Sequence, residues 1–426
     1  MLMVSLVIVF LICTLAGMPL FFSFGVSAAY ACIAGDLPLQ IIAQRMMIGM
    51  DSFALLAIPG FVLVGEIMCQ GGISRRAVNF SNSLIGHLKG GLSMVAVLTG
   101  MIMGGISGSA VADTAAVASV LVPSMEEENY PKEFSSAVVG TAGPLGNIIP
   151  PSIPMIVYSM TAGLSVLDLF LAGYIPGMMI GFSLMGLCYF ISTRKGYGPI
   201  AADRFSLERV GLTFKRSVLA LLTPLIIVGG IVSGIFTPTE SAMIGVIYSL
   251  IIAIHIYNEL TWRQMPVVLL DSAKTTAKLV VIIAAASVFS YISINEGVPE
   301  LFRDFMFGIS ENKYVILLFL NLILLFTGLI IDILVATVII VPVLIPLGEA
   351  LGMDPLQMAM IFVLNMSIGL LTPPVGYCLF VSSTIAEVRV EDTALNAIPV
   401  ILTMLGILVL LNVFPQLSLL IPGLIH

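Results

Sequence analysis

The chain has 426 residues, 59% hydrophobic and 10% charged, with a formal net charge of −7 and a mean hydropathy of +1.13. Water-soluble domains carry about 25% charged residues, so this composition excludes a soluble fold and gives an all-α, polytopic protein embedded in the lipid bilayer. Its five cysteines (Cys13, Cys32, Cys69, Cys188, Cys378) have neither metal-ligand nor paired spacing and read as core packing, and no nucleic-acid partner is expected.

Met1 to Gly35 holds no charged side chain and is interrupted at Gly17-Met18-Pro19. A single helix of that length would run about 50 Å through a core of roughly 30 Å, so two short crossings are preferred over one tilted helix. A span follows from Phe53 to Gln70. Ile73 to Lys89 is too polar to cross and reads as a surface helix, placed on the cytoplasmic side by Arg75, Arg76 and Lys89. From Gly90 to Met125 the only charge is Asp113. The stretch is far longer than the ~20 residues of one crossing, and Gly104 to Ser109 breaks it near its middle. The expected form is a hairpin of two half-helices with Ser107, Ser109 and Asp113 at membrane depth, where unwound backbone is tolerated only inside protein or along a wet cavity. The span from Phe134 to Tyr158 is broken by GPLGNIIPPSIP (Gly143 to Pro154), because prolines cost a helix interior about 3 kcal/mol.

Another span covers Leu169 to Ser192. Residues 193–216 read as a basic cytoplasmic linker between a first half (residues 1–192) and a second (residues 217–426). Ser217 to Asn258 fits two crossings with a turn at Phe236 to Pro238 beside Glu240, which either stabilises that turn or meets ions. Asn258 to Lys278 returns to the cytoplasm, and a span over Thr276 to Ile294 leads to an acidic, short-helical stretch, Glu296 to Lys313, placed with the C-terminal His426 in the periplasm. The first pattern then recurs. Tyr314 to Gly348 carries one charge, Asp332, and SIGLLTPPVG (Ser367 to Gly376) is a second glycine and double-proline break, before a last span over Leu395 to Leu420.

A single gap-free offset of 223 relates the two patterns. It pairs Gly105 with Gly328, Thr114 with Thr337, Pro123 with Pro346, Gly146 with Gly369, Pro150-Pro151 with Pro373-Pro374, and Ile175-Pro176 with Ile398-Pro399. Five crossings separate the two hairpins, an odd number, so the halves are inverted relative to one another. Inverted repeats with paired broken helices point to a secondary transporter with its site at the repeat interface near the midplane. The second half-helices, starting near Ala110 and Ile333, offer N-terminal N–H groups to an anion. Unwound carbonyls, hydroxyls and a carboxylate offer hard oxygen ligands to Na⁺. The substrate set is therefore Ser107, Ser109, Asp113, Thr114, Asn147 and Pro150; the sodium set is Gly105, Ser109, Gly146, Gly328, Asp332, Thr337, Gly369 and Thr372. The competing readings are structural: Asp113 and Asp332 as helix N-caps, and the serines and threonines bonded back to helix carbonyls. An intramembrane hydrolase built on Ser109 and Asp113 lacks a base, since His87, His255 and His426 all lie outside the hairpins, so no enzyme is expected.

GISGSAVADTAAV, NIIPPSIP, GLLTPPVG, SFALLAIPGFVLVGEIM (Ser52 to Met68) and GIFTPTESA (Gly234 to Ala242) resemble the large membrane subunit of the tripartite ATP-independent periplasmic (TRAP) transporters, over essentially the whole chain. The resemblance implies an elevator-type, Na⁺-coupled importer of organic acids such as sialic acid or four-carbon dicarboxylates in the bacterial inner membrane. It also implies two partners, a small four-helix membrane subunit and a soluble periplasmic binding protein. Because the chain starts at the first large-subunit helices, the small subunit is expected to be a separate polypeptide.

Overall fold

The computed structural model describes residues 2–198 and 205–425, all of whose regular elements are helices. The first half holds α1 (Leu2–Leu15), α2 (Leu20–Ala34), α3 (Gln40–Met50), α4 (Ala57–Gln70), α5 (Ile73–Ile85), α6 (Gly91–Ser107), α7 (Ala110–Glu127), α8 (Lys132–Gly140), α9 (Ala142–Ile148), α10 (Ile153–Ala162) and α11 (Val166–Lys195). The second holds α12 (Leu207–Val232), α13 (Pro238–Leu250), α14 (Met265–Asn295), α15 (Val298–Ile309), α16 (Lys313–Gly328), α17 (Ile333–Ala350), α18 (Pro355–Gly369), α19 (Tyr377–Ala386), α20 (Val390–Val413) and α21 (Gln416–Ile425).

The offset of 223 holds helix by helix, well beyond the motifs that revealed it. Shifted by that number, α7 coincides with α17, and α6, α10 and α11 fall on α16, α19 and α20. The amphipathic α5 falls on α15, so each half carries a short helix at the same place. Helices α3 and α4 both fall on α14, α3 starting two residues ahead of it. The chain breaks at Asp51-Ser52 in the first half, whereas Lys274-Thr275 continues the helix in the second. Five crossing segments, namely α8 to α10 taken together, α11, α12, α13 and α14, separate the hairpin α6–α7 from α16–α17, and the halves are inverted.

Local sequence sets the boundaries. Gly71 ends α4 and Gly72, at φ +70°, starts α5; the two axes bend by 68° there, which separates the span from the surface helix. Thr237 and Glu240 form a reciprocal cap at the start of α13, with the Glu240 carboxylate accepting from Thr237 N at 2.8 Å. This matches the turn-stabilising reading of Glu240. The basic stretch after α11 is shorter as a linker than the sequence implied. The chain is helical again from Leu207, so Arg209, Lys215 and Arg216 lie on α12; Asp203 and Arg204 lie outside the described residues, as does His426. Residues 2–34 form two helices packed on one another, each about 22 Å long at 1.5 Å per residue, short of the roughly 30 Å hydrocarbon core.

The two halves interlock. α10 lies along α17, α19 lies along α7, and α9 crosses α18, so each broken helix is covered by the other half's hairpin arm. Glycines permit the closest crossings. A Cβ built on Gly369 would lie 2.4 Å from the Gly328 carbonyl oxygen, and one on Gly104 would lie 2.7 Å from Gly146 Cα. In the second half an amide ladder adds polar contacts: Asn365 Nδ2 donates to Asn321 Oδ1 at 2.7 Å, Asn321 Nδ2 donates to Asn412 Oδ1 at 3.1 Å, and Gln357 Nε2 donates to the Leu411 carbonyl at 2.8 Å. It ties α16, α18 and α20 together, each such bond in a membrane contributing about 0.6 kcal/mol.

Gly369→Ala should destabilise the purified protein by about 1–3 kcal/mol, because a methyl group there must push two backbones apart. Gly406→Ala, in α20 with open space around it, should be neutral or stabilising by up to about 1 kcal/mol. Thermal unfolding of the two variants checks this, and equal melting temperatures would contradict the crossing.

Candidate functional site

Only two residues join the arms of the first hairpin. α6 ends at Ser107, Gly108 turns the chain at φ +60°, and Ser109, in an extended conformation, precedes α7. A Cβ on Gly108 would lie 2.6 Å from the Pro151 carbonyl oxygen, so both the dihedral and the space demand glycine. The Ser107 hydroxyl organises the tip. It accepts from Ser109 N at 3.1 Å and donates to Asp113 Oδ1 at 2.5 Å. Asp113 is therefore not the N-cap of α7. It sits in the first turn, fully buried, where the helix N-terminus favours a negative charge.

Its second oxygen, Oδ2, has no hydrogen-bond partner and faces the broken helix, 2.5 Å from where a Gly146 Cβ would be. Two further groups at this junction are equally unpartnered: Thr114 Oγ1 and, next to Gly146, Asn147 Nδ2. The space beside Gly143 is shared by Thr114 Oγ1, the Ala110 carbonyl and Cys378 Sγ from α19, so the second half contributes to the first hairpin's site. Pro150 is buried here, and its carbonyl oxygen approaches Gly105. Buried polar atoms in native proteins are nearly always paired; a cluster of three without partners, between the N-terminus of α7 and the last turn of α9, is a place for a ligand. Gly143 to Ile148, expected to be unwound, is helical, and the break is confined to residues 149–152.

The second tip is built differently. Four residues, Leu329 to Asp332, join α16 to α17, and the arms diverge: α16 lies along α18, while α17 lies along α10, α14 and α15. Asp332 caps α17, its Oδ1 accepting from Leu334 N at 2.9 Å. Thr337 Oγ1 donates to the Ile333 carbonyl at 2.6 Å and Thr372 Oγ1 to the Ile368 carbonyl at 2.8 Å. Capping and back-bonding are thus present at this tip, yet an oxygen that donates its proton keeps lone pairs for a cation. Gly328 and Gly369 lie at the helix crossing. Pro373 and Pro374 are exposed where Pro150 and Pro151 are buried, and both pairs are joined by a cis peptide bond.

The structure gathers Ser107, Asp113, Thr114, Gly146 and Asn147 into one locus around the first tip, and Gly328, Asp332, Thr337, Gly369 and Thr372 around the second. Sequence reasoning missed Cys378 and took Ser367 only as the start of the second break. Cys378 stands in an apolar run with no polar neighbour to mark it. Ser367, buried on α18 with an unpartnered hydroxyl, occupies the position that Pro144 holds in the first half.

Paired hairpins and broken helices, interlocked across an inverted repeat and converging on buried polar groups, make this a membrane transport protein rather than an enzyme. Residues 7–417 match the family described as tripartite ATP-independent periplasmic transporter, DctM component. The chain is similar to a putative TRAP transporter large permease protein of Haemophilus influenzae (41% identity, 89% of each chain). It is also similar to the sialic acid TRAP transporter large permease protein SiaM of Vibrio cholerae (36%, 96% of each) and to the C4-dicarboxylate TRAP transporter large permease protein DctM of Rhodobacter capsulatus (33%, 96% of each). Among solved structures, the YdaH transporter of Alcanivorax borkumensis, described as having an unusual topology, shares the fold with a TM-score of 0.63 at 15% identity over 89% of each chain. The chain belongs to the DctM family and is a TRAP large permease of the inner membrane.

Thr114→Val keeps the side chain's shape and removes a hydroxyl whose one protein neighbour for bonding is the weak Cys378 thiol, so stability should be little changed. Ser107→Ala removes a bonded partner of a buried carboxylate and should cost about 1–3 kcal/mol. Thermal unfolding separates the two, and a Thr114→Val loss as large as that of Ser107→Ala would make the threonine structural.

Proposed function

We propose that this chain is the transporting subunit of a Na⁺-coupled importer of a small organic acid, sialic acid or a four-carbon dicarboxylate. It works with a separate small four-helix membrane subunit and receives its cargo from a periplasmic binding protein. The observation that carries the reading is the junction at the first tip. The Asn147 amide and Thr114 hydroxyl are donors suited to a carboxylate, the α7 N-terminus adds its N–H dipoles, and Asp113 Oδ2 is a hard, negative oxygen suited to a cation or a substrate hydroxyl. Asp332, Thr337 and Thr372 supply the corresponding oxygens at the second tip.

Charge supports the coupling. An anion entering a cell with a negative interior works against about 2.3 kcal/mol per charge for each 100 mV, so an anion importer needs accompanying cations. The description of the family as one component of a tripartite system supports the two partners, and relatives bearing the names of sialic acid and C4-dicarboxylate transporters support the substrate class.

Packing supports an elevator movement. α17 lies along α14, and Val338, Pro342 and Pro346 on its outer face line a cavity of about 490 Å³ shared with α14. The corresponding face of α7 leaves Ala112, Ser119 and Pro123 exposed, and among the described residues α7 does not pack along α4, the counterpart of α14. α4 touches the first tip through Gly65 and Ser107, while α7 rests on α5 instead, so the two hairpin arms stand differently against their scaffold helices.

Reconstitution in liposomes with an inward Na⁺ gradient tests the proposal. Labelled sialate or C4-dicarboxylate should accumulate only when the small subunit and a loaded binding protein are both supplied. Asp332→Asn keeps the cap, because Asn caps as well as Asp, but should raise the sodium concentration for half-maximal uptake at least about tenfold. Robust uptake by this chain alone would instead mark a self-sufficient symporter, and unchanged sodium dependence in the Asn variant would remove Asp332 from the ion site.

A further inference from the structure

A cavity of about 870 Å³ lies among α5, the start of α12 and the segment that continues from α13 to Tyr257, and no residue of either hairpin lines it. Its polar part is cationic. Lys215 and Arg216 on α12 and Arg76 on α5 face it together with Asn79 and Asn82, and no carboxylate is among its lining residues. Arg76 is already held, ion-paired with Glu259 and lying 3.7 Å over the Tyr257 ring, while its carbonyl accepts from Ser217 Oγ at 3.1 Å. That latch fixes α5 to α12 and α13 and makes one wall rigid. Lys215 and Arg216, exposed, have no ion pair among the described residues.

The other part of the cavity is apolar, lined by Leu212, Leu219 and Ile256. At helical spacing the turn bearing Lys215 and Arg216 is followed on the same face by Leu219, Leu222 and Leu225, of which Leu222 and Leu225 are exposed. The antiparallel α13 runs alongside, its Tyr248 hydroxyl donating to the Leu219 carbonyl at 2.8 Å, and it exposes Ile247, Ile251 and, in the following turn, Ile256. A pair of unneutralised cations thus sits at the mouth of an apolar track that descends along two membrane helices.

We propose that this cleft is a binding site for an anionic phospholipid, its phosphate held by Lys215 and Arg216 with Asn79 and Asn82 beside it, and its acyl chains laid along Leu219, Leu222 and Ile251. The shared chemistry is a phosphate anion, and the apolar track is what favours a lipid over a soluble phosphate. A basic pocket between membrane helices at the level of the headgroups is the arrangement that holds cardiolipin and similar lipids. Its position on the latched α5–α12–α13 unit, away from the hairpins, makes it an anchor of the static part of the molecule to the leaflet. It takes no part in carrying substrate.

The test uses the permease complexed with its small subunit, purified with native lipid and analysed by native mass spectrometry in the presence of added phosphatidylglycerol, cardiolipin or phosphatidylethanolamine. The wild-type complex should retain the anionic lipids in preference to phosphatidylethanolamine. The double substitution Lys215→Gln with Arg216→Gln should weaken that retention roughly thirtyfold, as expected from a step of about five- to sixfold for each interfacial cation. Arg75→Gln, exposed on α5 and outside the cavity, should leave it unchanged, and both variants should match wild type in thermal stability. Equal retention of phosphatidylethanolamine, or undiminished anionic lipid on the double variant, would overturn the proposal. Displacement by low-millimolar inorganic phosphate would overturn the lipid assignment and leave a soluble-anion site.

Discussion

A backbone that unwinds inside a bilayer must find its hydrogen bonds within the protein, because lipid offers none. Four such interruptions, two hairpin tips and two double-proline breaks, set the terms for the rest of this structure. None can face lipid, and each is covered twice. Within its own half, α6 and α7 lie on α9 and α16 lies on α18; across the halves, α19 covers α7, α10 covers α17, and the breaks beside α9 and α18 meet where those helices cross. Close glycine contacts at Gly104 and Gly146, and at Gly328 and Gly369, bring the backbones near enough for this burial. Function and fold therefore share one cause, since the groups that interruption frees are the groups a ligand can use.

The two halves meet the constraint unequally. At the first tip a two-residue turn keeps the arms together and leaves Asp113, Thr114 and Asn147 with unused bonding capacity. At the second a four-residue turn lets the arms diverge, and Asp332, Thr337 and Thr372 are engaged with their own helices while Pro373 and Pro374 remain exposed. A two-fold related pair of sites would bind two identical ligands; a pair made unequal suits two different ones, an organic anion and its accompanying ions. The amide ladder of Asn321, Asn365 and Asn412 belongs to the second half alone, its counterparts being Leu98, Ala142 and Tyr189.

Much of this was legible in the sequence because charge is so sparse. A lone aspartate within a long apolar run is visible without any structure, and so are a double proline and a fixed offset that pairs them. That arithmetic located both hairpins, both breaks and the inversion, and the helix starts at Ala110 and Ile333 followed from the glycine and aspartate before them. What could not be read depends on packing between distant segments. Nothing local distinguishes Asp113, bonded to Ser107, from Asp332, which caps its helix. Nothing around Cys378 marks it as a neighbour of Thr114. The fusion of two helices into α14 and the divergence of α16 from α17 are decided by neighbouring helices, and the helical start of α12 was masked by basic residues that resemble a loop.

The central claim is that the inequality between α7 and α17 is one of two states, exchanged during transport. Spin labels at Ser119 and Gln70, and in a second protein at Pro346 and Ile294, measure the two gaps in the lipid-reconstituted complex by pulsed electron resonance. When Na⁺ and the loaded binding protein are added, the account predicts opposite changes, the α7–α4 distance shortening as the α17–α14 distance lengthens. Distances that stay fixed through turnover, or that move in the same sense, would contradict it.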